Sequence, residues 1–194
     1  MKYAIASDIH GSATWCRRFL EDAEKRGVDG FILLGDLMYH GPRNPLPDGY
    51  DPAEVARMLN EHADIIIAVR GNCDSEVDQM LLDFPCLGDY AVVMDNGAQL
   101  FCTHGHLDVS GLDFSQTFAE GGSLLIKGSG LPDESFVLSG HTHVKVDEMA
   151  FLIEDSAPKK EMRHINPGSV GLPKDGSHSY AIYEDGEVEF VELH

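Results

Sequence analysis

Five apolar runs in this chain end the same way, and that regularity limits the possible folds more than any other feature. Ala4-Ile5-Ala6-Ser7 leads into Asp8-Ile9-His10, and Phe31-Ile32-Leu33-Leu34 leads into Gly35-Asp36. Ile65-Ile66-Ile67-Ala68-Val69-Arg70 leads into Gly71-Asn72-Cys73-Asp74. Leu100-Phe101-Cys102-Thr103 leads into His104-Gly105-His106, and Phe136-Val137-Leu138-Ser139 leads into Gly140-His141-Thr142-His143. Short apolar runs bounded by turn residues read as buried strands. In open α/β sheets, ligands bind at the carboxyl ends of the strands. The five motifs are therefore expected to converge on one rim.

Between these runs the pattern alternates at first. A strand over 2–7 is followed by a helix capped by Ser12 or Thr14 and running to about residue 26, with Trp15, Phe19, Leu20 and Ala23 at helical spacing. Gly27 supplies the stop. The strand at 31–34 then completes a β–α–β unit, which implies a parallel pair. Residues 39–50 hold three prolines and read as a stiff loop. Asp51, Pro52 and Glu54 start a helix to about residue 62. A strand at 65–69 follows, then a short helix capped by Ser75 through 82. The second half reads mainly as β: hairpin strands at 90–94 and 99–103, then 136–139, 144–153 and 162–165, and a hairpin of 180–183 with 188–193. Residues 105–135 are glycine-rich, with a short helix expected near 115–120. Two packed sheets with helices outside would bury both sets of apolar runs. No linker or repeat divides the chain, so residues 1–194 are expected to form one domain.

Composition narrows the function. The 194 residues include 33 Asp and Glu against 14 Lys and Arg, a formal charge of −19. That balance argues against nucleic acid and anionic membranes as partners. The four cysteines, Cys16, Cys73, Cys86 and Cys102, show no CxxC spacing, as expected of reduced thiols in the cytoplasm. No run approaches the ~18 apolar residues of a membrane span, and no leader pattern opens the chain.

The strand-end residues are metal-ligand types. Period-two alternation would put Asp8 and His10 on one side of the chain, and likewise His141 and His143. A carboxylate such as Asp36 can bridge two ions with its two oxygens, and Asn72 offers an amide oxygen. Mixed oxygen and imidazole ligands fit manganese, iron, zinc or nickel rather than a sulfur-rich zinc site. Two such ions ~3.5–4 Å apart can hold a water between them, lower its pKa and neutralise a phosphoryl group under attack. Phosphoester hydrolysis is the natural reaction. Spacing alone leaves His104 and His106 equally eligible.

The ordered set Asp8-x-His10, Gly35-Asp36, Gly71-Asn72-Cys73-Asp74, His104-Gly105-His106 and Gly140-His141-Thr142-His143 resembles the calcineurin-like metallophosphoesterase superfamily. Within it, the chain resembles the small bacterial YfcE-type phosphodiesterases over nearly its whole length. The runs 44–50 and 68–82 and Asn166-Pro167-Gly168-Ser169 add to that likeness. The resemblance implies an α+β fold, a sandwich of two mixed β-sheets flanked by α-helices in four αββα layers. It implies a first divalent ion held by Asp8, His10, Asp36 and His143, and a second held by Asp36, Asn72, His104 and His141. The same resemblance makes Asp36 the expected bridge, and Asp36, Asn72 and His104 the expected catalytic residues. Manganese is the usual activating ion of the subgroup. A small-molecule phosphoester is the implied substrate, and a homo-oligomer is compatible with it.

One position departs from the superfamily. Most members carry histidine after the motif asparagine, where it contacts phosphate and can protonate the leaving group; here it is Cys73. A thiol with a pKa near ~8.5 is a poorer acid at neutral pH, which suits diesters with good leaving groups. His40 and His106 are candidate proton donors, Arg43 and Arg70 candidate phosphate contacts, and Asp74 a candidate to orient the ligands. Asn166 to Ser169 are candidates to line the site. Two rival readings share the motifs: a scaffold of the retromer-subunit type, and a phosphomonoesterase.

Overall fold

A computed structural model describes residues 1–107, 125–126, 131–152 and 160–194. Strand β1 (Lys2–Ala6) lies at the centre of a five-stranded sheet. It pairs in parallel with β2 (Gly30–Leu33), which pairs in parallel with β3 (Ile66–Ala68). These parallel pairs require crossovers, supplied by helices α1 (Ala13–Lys25) and α2 (Pro52–Asn60). Ser12 caps α1 by accepting from the Trp15 N–H, and Asp51 caps α2 by accepting from the Glu54 N–H, with Pro52 in the first turn. A third helix, α3 (Glu76–Gln79), starts after Ser75 but is shorter than the expected run to residue 82.

The second sheet has six strands: β4 (Tyr90–Asp95), β5 (Ala98–Thr103), β6 (Leu125–Ile126), β7 (Phe136–Leu138), β8 (Lys145–Leu152) and β9 (Glu161–Pro167), in the order β4-β5-β7-β9-β8-β6. Both sheets are mixed. β5, β7 and β9 run parallel, while β4 and β8 pair antiparallel at their flanks. The C-terminal hairpin β10 (Ser179–Glu184) and β11 (Glu187–Glu192) returns to the first sheet, with β10 antiparallel to β1. β6 falls in the glycine-rich stretch that gave no strand pattern. The helix expected near 115–120 lies outside the described residues.

Alternation along β1 divides its side chains between two cores. Ala4 and Ala6 face α1 and α2, with Phe19, Phe31 and Leu59 fully or almost fully buried beside them. Tyr3 and Ile5 face the second sheet and pack with Ile32, Leu100, Leu138 and Ile165. The parallel strands are buried on both faces, which explains their unbroken apolar character. Among the described residues no helix is long and apolar enough to cross a membrane.

Phe19 is the keystone of the helix–sheet core. Its ring is fully buried and meets Phe31 and Tyr180 edge-on at 5.7 and 5.1 Å. Phe19→Ala should lower unfolding free energy by about 3–5 kcal/mol. Val77→Ala, at an exposed position, should stay within about 0.5 kcal/mol. Urea denaturation of the two variants measures both, and equal midpoints would contradict this placement of the core.

Candidate metal centre

Strands β1, β2, β3, β5 and β7 end on one rim, and backbone bonds join their exits. Asp8 N–H donates to Gly35 C=O at 3.0 Å, His10 N–H to Asp36 C=O at 2.9 Å, and Gly140 N–H to His104 C=O at 3.1 Å. Gly35, Gly71 and Gly140 are needed where these segments touch: an added Cβ would collide with Gly71, with Asp36 and with Ser7, respectively. The two sheets are linked at the rim when the His141 N–H donates to Asp8 Oδ2 at 3.0 Å.

The motif residues leave the strands by a sharp left-handed bend. Asp8, His10, Asp36, His141 and His143 have φ of 56°, 51°, 55°, 70° and 62°. Side chains rarely adopt this region, and its clustering is characteristic of functional sites. β1 ends at Ala6 and β7 at Leu138, so the convergence of Asp8 with His10, and of His141 with His143, does not come from strand alternation as expected. It comes from these bends.

Three histidines are locked by the same device. The Nδ1 of His10 donates to Tyr39 C=O at 2.7 Å, that of His104 to Leu34 C=O at 2.6 Å, and that of His143 to Leu172 C=O. A carbonyl only accepts, so Nδ1 carries a proton and Nε2 is the nitrogen turned to the interior, the one a neutral imidazole offers to a metal. His10 Nε2 faces His143 Nε2 at 3.3 Å, and His104 Nε2 faces Asn72 Oδ1 at 3.2 Å. Two acceptors at such a distance repel unless a proton or a cation lies between them.

The carboxylates reinforce that demand. Asp8 is fully buried, and its Oδ1 has no hydrogen-bond partner while lying 3.3 Å from His143 Nε2 and 3.6 Å from His10 Nε2. Asp36 Oδ1 accepts from the Cys73 N–H at 2.7 Å. Its Oδ2 lies 3.6 Å from His10 Nε2 and 3.5 Å from His104 Nε2. A single oxygen of Asp36, not both, thus faces both histidine sets, because the other is taken by the backbone. Burial alone would raise the Asp36 pKa, but His104 and the Cys73 N–H hold it well below the usual carboxylate range. Burial alone would lower that of His104, yet Asp36 and Asp8 push it up to about 9. An orphaned buried carboxylate oxygen, imidazole nitrogens turned inward and a nitrogen–oxygen donor set fit divalent cations. Compact trios able to hold an ion are Asp8, His10 and His143; Asp8, Asp36 and His104; and His10, Asp36 and Cys73.

The other sequence candidates divide. His141 stands at the cavity mouth, its ring 5.1 Å from that of His104, and belongs to none of the compact trios. Cys73 is half-buried, and burial followed by the Asp36 charge pushes its thiol up to about 12. His106 stacks edge-on to His104 at 5.2 Å, and burial with the neighbouring histidines lowers it to about 4. His40 is wedged between Tyr39 and Tyr50 and does not line the cavity. Arg43 does line it, whereas Arg70 pairs with Asp89 at 2.5 Å. Asn166 and Ser169 buttress the loops from behind: Asn166 Nδ2 donates to Gly140 C=O and Ser169 Oγ to Asp8 C=O. Lys174 lines the cavity beside His141 and His143. No motif announced it, since a lysine in a Pro-Lys-Asp-Gly turn has the look of ordinary surface.

The calcineurin-like phosphoesterase superfamily domain model matches residues 1–186. The chain belongs to that superfamily. It is 42% identical over all 194 residues to phosphodiesterase YfcE of Escherichia coli K12, covering 92% of that protein. The solved structure of the E. coli YfcE phosphoesterase aligns at 38% identity with a TM-score of 0.76, each chain fully covered. An archaeal phosphodiesterase at 24% identity and TM-score 0.66, with both chains fully covered, shares the fold. So does Vps29 of Entamoeba histolytica at 17% identity and TM-score 0.54, again with full coverage of both. The chain is an enzyme of phosphoester hydrolysis with the metallophosphoesterase sandwich of two mixed sheets.

Asp74 holds the rim together. Its Oδ2 accepts from the N–H of Asp36 at 2.8 Å and of Gly71 at 2.7 Å, and its Oδ1 from that of Leu37 at 2.9 Å. Burial and the Asp36 charge push its pKa up to about 6 against those three bonds. Asp74→Asn turns an acceptor into a donor facing N–H groups. It should weaken divalent-metal binding about 10–100-fold while circular dichroism stays native. Unchanged affinity in a metal titration would show that Asp74 does not set the ligand geometry.

Proposed function

We propose that residues 1–194 act as one domain, a dinuclear-metal phosphodiesterase in which Asp36 serves both cations. Asp8, His10, Asp36 and His143 are the ligands of the first, and Asp36, Asn72, His104 and His141 of the second. The observation that carries this reading is the position of Asp36 Oδ2, 3.6 Å from His10 Nε2 and 3.5 Å from His104 Nε2. A carboxylate oxygen between the Nε2 atoms of two imidazoles is the arrangement a bridging ligand needs. We read the cations as manganese, following the subgroup the motifs resemble, with iron, zinc and nickel as the other ions this donor set accepts.

When bound, the cations supply an activated water and neutralise charge on the phosphoryl group. The residues do the rest. The Nδ1 bonds to Tyr39, Leu34 and Leu172 fix three rings before any ion arrives. The Cys73 N–H and the Asp74 carboxylate fix Asp36 from two sides. Asn72 Nδ2 donates to Cys73 Sγ at 3.2 Å, which turns its Oδ1 inward. The protonated Cys73 thiol adds no positive charge where most of the superfamily has an imidazole. We therefore assign diesters with good leaving groups as the favoured chemistry. A small-molecule phosphoester in the cytoplasm fits the acidic surface and the four free cysteines. That surface speaks against nucleic-acid or anionic-membrane partners. The retromer-type scaffold is the weaker alternative, because all seven metal positions carry a competent side chain.

Treatment with EDTA should abolish hydrolysis of bis(p-nitrophenyl) phosphate, and Mn²⁺ should restore it ahead of Zn²⁺, Ni²⁺ and Mg²⁺. Asp36→Asn should lose nearly all turnover and bind fewer than two metals per chain by elemental analysis. Full turnover in that variant would refute the assignment.

A further inference from the structure

The metal centre opens into two unequal spaces. The inner cavity, about 80 Å³, is bounded by Asp36, Asn72, His141 and His143 and by two cations, Arg43 and Lys174. The outer groove, about 680 Å³, continues from it past Asn72 and Cys73 to Tyr39, Val77 and Asp78. Its size lies in the range of small-molecule sites, whereas the inner space has room for little more than a phosphoryl group. Arg43 borders both.

The two cations stand out on a chain so acidic. Among the described residues neither has an ion-pair partner, while Arg70 nearby is taken by Asp89. The Lys174 N–H donates to His143 C=O at 2.9 Å, which fastens it to the ligand loop. The next carboxylate along, Asp175, is taken by Lys145 at 3.0 Å. Arg43 sits in the proline-stiffened loop, where Asn44 Nδ2 donates to His40 C=O. Two unpaired cations across an 80 Å³ space suit the non-bridging oxygens of a phosphate ester.

The outer groove has a different character. Tyr39, 42% exposed, and Val77, 65% exposed, both turn apolar surface into it. Among the described residues the groove has no cation beyond Arg43, and Asp78 adds a carboxylate. A second phosphate would be repelled there, whereas a flat uncharged ring would cover both apolar surfaces. We propose that Arg43 divides a two-compartment substrate site: Arg43 and Lys174 hold the phosphoryl oxygens, and the groove over Tyr39 and Val77 takes an uncharged aryl or nucleobase ring of the ester. This rests on the phosphodiesterase reading above and adds to it the class of substituent.

The test uses manganese-loaded protein and isothermal calorimetry with three probes: thymidine 5′-monophosphate, 2-deoxyribose 5-phosphate and inorganic phosphate. Wild type should bind the nucleotide about fivefold or more tightly than the sugar phosphate, the scale of one base–aromatic stack. Tyr39→Ala should bring that ratio to near one, and Tyr39→Phe should keep it. Arg43→Gln and Lys174→Gln should each weaken all three probes with metal content unchanged. A wild-type ratio near one, a ratio that survives Tyr39→Ala, or phosphate binding untouched by either cation variant would overturn the proposal. Failure of the underlying reading has a separate signature: manganese-loaded wild type that cleaves no bis(p-nitrophenyl) phosphate, whatever its binding ratio.

Discussion

Two buried carboxylates and the imidazole nitrogens packed around them set the terms for the rest of the molecule. Asp8 and Asp36 lie at the ends of adjacent parallel strands, and His10 Nε2 sits 3.6 Å from an oxygen of each. Carboxylates buried so deeply are expensive unless compensated. The chain compensates partly, with the His141 N–H on Asp8 and the Cys73 N–H on Asp36. It withholds the remainder. Asp8 Oδ1 receives no donor, and the nearest nitrogens have their protons turned away towards backbone carbonyls. A pocket whose acceptors have been oriented inward and left unsatisfied is a pocket shaped for cations.

The backbone has its own cost at the same place. Five residues of the rim are held at positive φ, at roughly 1–3 kcal/mol each. The other non-glycine residues in that region include Asn96 and Asp185, at the tips of the β4–β5 and β10–β11 hairpins. Asparagine and aspartate tolerate the left-handed conformation there. At the rim the same conformation falls on three histidines as well as on Asp8 and Asp36, all within one small site. Their strain is offset by the two cores beneath, which fix the strand ends, and by the rim network through Asp74, Asn166 and Ser169. The sandwich therefore does more than carry the site. Its rigidity keeps the bends from relaxing.

This division explains what could be read from the sequence. The strands were legible because each parallel strand is buried on both faces and so reads as an unbroken apolar run. The helix starts were legible because Ser12 and Asp51 are capping residues with their partners at fixed offsets. The residues that gather at the rim were legible because Asp, Asn and His follow each run directly. The reason for their convergence was not. Left-handed φ at Asp8 or His143 is permitted but not dictated by residue type, so alternation was the natural but mistaken explanation. The carbonyl locks from Tyr39, Leu34 and Leu172 were invisible as well, since any residue supplies a carbonyl. Lys174 was hidden for a related reason. It reaches the cavity through a turn whose path depends on the Asp8–Gly171 backbone bond and on Lys145 holding Asp175.

Cys73 ties the electrostatics of the site to its shape. Burial and the adjacent Asp36 keep its thiol protonated, so this side of the cavity is neutral where an imidazolium would add positive charge. In the proposed site Arg43 and Lys174 supply positive charge to the phosphoryl oxygens instead, and the Arg43 guanidinium does not deprotonate in proteins. It approaches from a loop rather than from the strand end, on the border between the narrow inner cavity and the broad outer groove. A small neutral thiol also leaves that border open, since Cys73 lines both spaces. A bulkier side chain at the same position would intrude on the passage between them. The departure from the superfamily pattern and the two-chambered shape of the site are therefore two aspects of one structural choice.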